Sequence, residues 1–120
     1  MTPEDVHAYC SAKWGAWEDQ PWDGDVVFKI GPAERGKIFA FLGDGTSVGV
    51  KSGTTRQEAD EWLIRYPKDA DVSAYIGRWG WNRLSTRGGI PDDELREAID
   101  RSYELVMAGL PKKFRGPSDE

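Results

Sequence analysis

The sequence holds one cysteine and one histidine in 120 residues. That excludes a disulfide framework within the chain, and equally a zinc site built from several Cys and His ligands. No apolar run approaches the roughly 20 residues that a membrane-crossing helix needs. The first residues lack the basic segment followed by an apolar stretch that marks a secretory signal. A cytoplasmic protein that meets no membrane is therefore expected. Internal repeats and low-complexity tracts are missing as well. Residues 1–115 read as a single domain and 116–120 as a flexible tail. Tryptophan, in contrast, is plentiful: six Trp, four Tyr and four Phe supply enough aromatic surface to fill a core and leave rings over.

Charge is unevenly spread. The formal net charge is −5. Residues 1–25 carry Glu4, Asp5, Glu18, Asp19, Asp23 and Asp25 against Lys13 alone. Val72–Pro91 contains no acid and three arginines, Arg78, Arg83 and Arg87, and Lys112, Lys113 and Arg115 follow Pro111. Local blocks of one sign set local fields whatever the total, so an acidic protein can still present a basic face.

Three helices announce themselves. The first opens with Thr2 as N-cap, Pro3 in the first turn and Asp5 behind it, with Val6, Tyr9, Cys10 and the stem of Lys13 facing inward. The second opens on Thr55 with Glu58 three residues on, turns Ala59, Trp62, Leu63 and Tyr66 inward, and stops at Pro67. The third begins at Pro91 with three acids at the positive end of its dipole, then repeats Leu95, Ile99, Tyr103 and Val106 at helical spacing. Between them the period falls to two. Strands are expected at Val26–Ile30, Lys37–Leu42, Ser47–Lys51, Asp71–Ile76 and Trp81–Thr86. The prediction is an α+β domain, two layers in the order α-β(3)-α-β(2)-α with a mainly antiparallel sheet. Phe28, Phe39, Phe41, Val48 and Val50 are expected under the third helix.

Several motifs invite chemistry. Residues 31–38 match the phosphate-loop pattern G-x-x-x-x-G-K, but Ile38 stands where Ser or Thr would hold magnesium, and a strand rather than a helix follows. It reads as a hairpin loop. Cys10 and His7 lie three apart on one helix, yet no third group orients a base, and a buried thiol is the simpler reading. The acidic run Trp17–Asp25 lacks calcium-loop spacing and is taken as a surface loop anchored by Trp17 and Trp22. Nothing converges on a nucleophile, a base and an oxyanion donor, so no enzymatic activity, cofactor or metal is expected. The informative stretch is Tyr75–Arg83, where arginines alternate with aromatics and glycines allow close approach. Such a segment pairs with phosphates and stacks on bases, or serves as the ordinary core of a short hairpin.

The ordered set of marks resembles the MmcQ/YjbR family of small bacterial proteins over residues 2–115. The marks are Phe28-Lys29, Lys37 with Phe39-Ala40, Val50-Lys51, Tyr66-Pro67, Tyr75 with Trp81-Asn82, Pro91 through Leu95, Ser102-Tyr103 with Leu105-Val106, and Leu110 through Lys113. The resemblance implies the same two-layer fold, compared with CyaY-like proteins and secretion chaperones, and a DNA-binding label resting on two protruding hairpins. The family's Tyr-His-x-Asn-Lys-x-His-Trp-Asn stretch reads here as Tyr75-Ile76-Gly77-Arg78-Trp79-Gly80-Trp81-Asn82, with Arg78 and Arg83 keeping the positive character. The expected function is a non-enzymatic binding protein for DNA. Its contacts would be Lys51, Arg78, Trp79, Trp81, Asn82, Arg83, Arg87, Lys112 and Lys113. The alternatives are a small aromatic ligand held between Trp22, Trp79 and Trp81, or a protein partner on the open face or edge of the sheet.

Overall fold

Alternating apolar and polar residues between positions 17 and 51 build four strands in succession, and the structure, a computed structural model, describes residues 1–116. Helix α1 (Pro3–Ser11) leads into β1 (Trp17–Trp22), β2 (Asp25–Ile30), β3 (Lys37–Gly43) and β4 (Ser47–Lys51). Helix α2 (Arg56–Arg65), the short β5 (Ala70–Val72), β6 (Trp81–Ser85) and helix α3 (Asp92–Ala108) follow. The strands form one six-stranded sheet in the order β1-β2-β3-β4-β6-β5, antiparallel at every pairing. Among the described residues no helix is long and apolar enough to cross a membrane. Of the expected tail only Gly116 is described, against the ring of Trp14; residues 117–120 lie outside the described residues.

The α+β class and antiparallel sheet are as expected, with one strand more. The acidic run expected as a loop contains β1, so the order is α-β(4)-α-β(2)-α. An edge strand has one side free of hydrogen bonding, and it can therefore carry Glu18, Asp19 and Pro21, which an interior strand would reject. Its register with β2 shifts between Asp19 and Trp22. Trp17 anchors the strand, its Nε1 donating to Gly31 O at 2.8 Å. Trp22 does not, being 54% exposed. At the other edge, β5 spans three residues rather than Asp71–Ile76.

The helix starts follow their sequence signals. Thr2 Oγ1 accepts from Asp5 N at 3.1 Å while the Asp5 carboxylate accepts from Thr2 N at 3.0 Å. Thr55 accepts from Glu58 N at 3.1 Å, and Glu58 reaches back to Thr54 N rather than to Thr55. All three helices contribute to one apolar cluster on one face of the sheet. Val6 and Cys10 of α1 and Leu95, Ile99 and Val106 of α3 pack there with Phe28, Phe39, Val48, Val50 and Leu84. Ala59 of α2 is fully buried, and Trp62, Leu63 and Tyr66 pack against that cluster. Tyr103 is half-buried, its ring edge-on to Phe39 at 5.2 Å.

Phe41 departs from expectation. Phe28 pairs with Ala40 but Lys29 with Ile38, leaving Phe39 as an extra residue in β3. Such a bulge turns Phe39 and Ala40 towards the same side. Phe41, opposite Gly49, is thereby put on the face away from the helices, where its ring meets Trp81 at 5.5 Å.

Strands β3 and β4 pair at only two positions, Ala40 with Val50 and Phe41 with Gly49. Beyond these they part, and α3 fills the opening. The buried Ser102 hydroxyl accepts from Lys51 N at 2.8 Å and donates to Phe39 O at 2.6 Å. One side chain thus replaces a rung of the ladder.

Candidate binding site

The helices cover one face of the sheet and leave the other open. Alternation dictates what faces outward: with Val50, Asn82 and Leu84 turned to the helices, Lys51, Trp81 and Arg83 face the open side. Gly49 makes room for this surface, since a Cβ there would stand 3.1 Å from Phe41 Cβ. Where β3 and β4 part, a cleft of about 580 Å³ opens on this side. Lys29, Lys37 and Lys51 line it with Phe41, Ile76 and Trp81, and it reaches Leu105 and Val106 of α3 through the parting. No carboxylate lines it. Lys29 is held by Asp19 from β1 at 2.8 Å, whereas Lys37 and Lys51 form no ion pair among the described residues.

Ile76 of the β5–β6 connection lines this cleft. Ile76 N donates to Ala74 O at 2.7 Å, closing a γ-turn whose central residue, Tyr75, has φ +65°. Positive φ in a bulky residue is a strained backbone state. The Tyr75 ring is nonetheless 98% exposed. A single 3-10 turn, Gly77–Trp79, follows and ends at Gly80, whose φ of +95° suits glycine. Arg56 from the first turn of α2 fastens the segment. Its Nη1 donates to Gly77 O at 2.8 Å and Trp81 O at 3.0 Å, its Nη2 donates to Asn82 Oδ1, and its Nε meets Asp60 at 2.7 Å.

This arrangement sorts the residues singled out from the sequence. Lys51 and Trp81 share the cleft. Arg78 and Trp79 stand on the neighbouring 3-10 turn, with the guanidinium 4.8 Å from the centre of the Trp79 ring. Asn82 is no surface contact: it is fully buried, and its Nδ2 donates to Ala59 O at 2.9 Å. A buried amide must satisfy its polar atoms internally, and Asn82 does so against α2. Arg83 pairs with Asp71 at 2.9 Å and lines, with Arg87 and Lys68, a separate polar cleft of about 350 Å³. Asp69 and Asp71 line that cleft too and offset its positive charge. Lys112 and Lys113 are exposed on a last 3-10 turn, Lys112–Phe114. The aromatic sandwich does not form as envisaged, because neither Trp22 nor Trp79 lines any of these clefts.

Two basic residues of the cleft, Lys29 and Lys37, stand among the marks of the family but not among the expected contacts. The signal for Lys29 was present, since it alternates with the buried Phe28 and Ile30 and so must face the open side. Lys37 had none, because its place depends on the parting of β3 from β4. Among the described residues no group of His, Cys, Asp and Glu could hold a metal ion. Burial pushes the Cys10 thiol up to about 12. His7 turns to Glu18 at 2.6 Å and sets its ring against Phe28.

Relatives share this architecture. Escherichia coli YjbR, a protein described as uncharacterized, is 25% identical over 117 residues, covering 96% of this chain and 95% of its own. The crystal structure of the Deinococcus radiodurans protein DR2400, of domain family DUF419, superposes with a TM-score of 0.82 at 22% identity. It covers 94% of this chain and 84% of that one. A crystal structure of a Pseudomonas syringae protein matches with a TM-score of 0.64 at 15% identity, over 88% of this chain and 99% of that one. At such identities the two crystal structures establish the fold alone. The YjbR family model matches residues 11–105, from the end of α1 to the last turns of α3, and the chain belongs to that family.

Proposed function

We propose that this chain is a non-enzymatic binding protein whose ligand is nucleic acid, taken up on the open face of the sheet. One observation carries the reading: Lys29, Lys37 and Lys51 surround Phe41 and Trp81 in a cleft that no carboxylate lines. Lysines that neutralise phosphates release condensed counterions, which is the main source of affinity for a polyanion. The rings beneath offer flat apolar surface for sugars and bases. A net charge of −5 weakens long-range attraction, and the local attraction rests on Lys37 and Lys51, which form no ion pair among the described residues. The non-enzymatic part is supported by the fate of the one thiol, which is buried in the core away from the cleft. The reading takes the protein to be cytoplasmic, where nucleic acid is at hand.

The test is a titration of labelled oligonucleotides at several salt concentrations. The pair Lys37→Gln and Lys51→Gln should weaken binding and lower the log–log salt slope by roughly 0.7–0.9 per lysine. No affinity even at low salt would end this reading. The cleft volume also lies in the range of small-molecule sites. Saturable binding of a small aromatic ligand, sensitive to Trp81→Ala and indifferent to salt, would put that ligand in its place.

A further inference from the structure

We infer that the nucleic acid held here is a single strand, its bases stacking on Tyr75 and Trp79 at the rim of the lysine cleft; this rests on the nucleic-acid reading above. The β5–β6 connection carries two large rings in solvent within five residues, Tyr75 at 98% exposure and Trp79 at 58%. Neither fully contributes its apolar area to the core, and Tyr75 also sits on a backbone with φ +65°. Strain at a ring that buries nothing does not serve folding, and such strain gathers where a surface has a task. Ile76, the next residue after Tyr75, lines the lysine cleft. Tyr75 is thus one residue from a lining residue of the cleft, and Trp79 is two residues before another, Trp81. Arg56 holds the turn through Gly77 O and Trp81 O, so the rings are displayed on a fixed backbone.

A duplex would use this arrangement poorly. Its bases hide their faces in the stack, and exposed rings gain little from them; unpaired bases can lie flat on Tyr75 or Trp79. Duplex DNA also carries its charge more densely than a single strand. The Asp19 carboxylate, paired with Lys29 on the same face of the sheet, penalises the stiff, highly charged rod more than a flexible strand that can bend away from it.

The experiment compares oligothymidylate with a duplex of the same length by fluorescence anisotropy, on the parent and on Tyr75→Asn, Tyr75→Phe and Trp79→Ala. Asn accepts a left-handed backbone, so Tyr75→Asn removes the ring without removing the turn. Circular dichroism and urea unfolding establish that each variant is folded. The single strand should bind at least tenfold more tightly than the duplex. Tyr75→Asn and Trp79→Ala should each weaken single-strand binding by about tenfold with the salt slope unchanged, and Tyr75→Phe should retain it. If nucleic acid binds but the duplex binds as well as the strand, or folded variants lacking either ring bind as the parent does, the inference falls and the lysine cleft stands. If neither form binds at low salt, both fall together.

Discussion

Replacing Ser102 by alanine removes one oxygen atom from the place where the sheet divides. Its hydroxyl accepts from Lys51 N and donates to Phe39 O, and Ser102 is fully buried. Without it one backbone donor and one backbone acceptor lose their partner. An unsatisfied buried polar group costs about 1–3 kcal/mol. The Lys51 side adjoins the cleft and can recover water, so the two losses together should come to about 2–3 kcal/mol, near the upper range of ordinary substitutions. With a urea dependence of about 1–3 kcal/mol per molar, the unfolding midpoint should fall by about 0.7–3 M. Tryptophan fluorescence during urea unfolding reads this directly. Ser102→Thr keeps the hydroxyl but adds a methyl group to a closed site, and should fall between parent and alanine. A Ser102→Ala loss below about 0.5 kcal/mol would refute the argument, and the parting of β3 from β4 would then be held by the apolar packing of α3 alone.

Two further outcomes separate buried from exposed roles. Asn82→Ala removes a buried bond to the Ala59 carbonyl and strands one Arg56 donor, and should cost about 2–4 kcal/mol, whereas Arg83→Gln breaks an exposed ion pair with Asp71 and should change urea stability by less than about 1 kcal/mol; equal losses would overturn this assignment. Cys10 should resist thiol reagents at pH 8 until the protein unfolds. With its thiol raised from an ordinary value near 9 to about 12 by burial, the neutral form is favoured in the fold, so its contribution to stability is complete below pH 9 and is lost as pH rises towards 12. Rapid labelling of folded protein would contradict this.

Much of the architecture was legible because local signals agreed with the final packing. The caps at Thr2 and Thr55, the stop at Pro67 and the stripe through Leu95, Ile99 and Val106 all landed where they pointed. Strand β1 was missed because Pro21 and its neighbouring acids signal a loop, a rule that relaxes where one side of a strand is free. Phe41 was put on the wrong face because strict alternation has no place for the extra residue at Phe39. For the site the same limit applies with more force. Basic residues next to aromatics in sequence did draw attention to Trp81, Arg78 and Trp79, yet Asn82 between Trp81 and Arg83 points the opposite way. The cleft itself is created by strands separating around a serine from a distant helix, and no local pattern encodes that.

The two borders of the sheet also constrain how this protein can meet others of its kind. One border offers only the three residues of β5. The other carries a proline that cannot donate, two carboxylates and a slipped register. A neighbouring chain that tried to extend the sheet would find few free amides in line and would set its own acids against Glu18 and Asp19. Growth into ribbons or fibrils by strand addition is therefore discouraged at both ends. The same barrier applies to an extended peptide seeking a place alongside β1 or β5, whereas the broad surface between the borders carries no such obstacle.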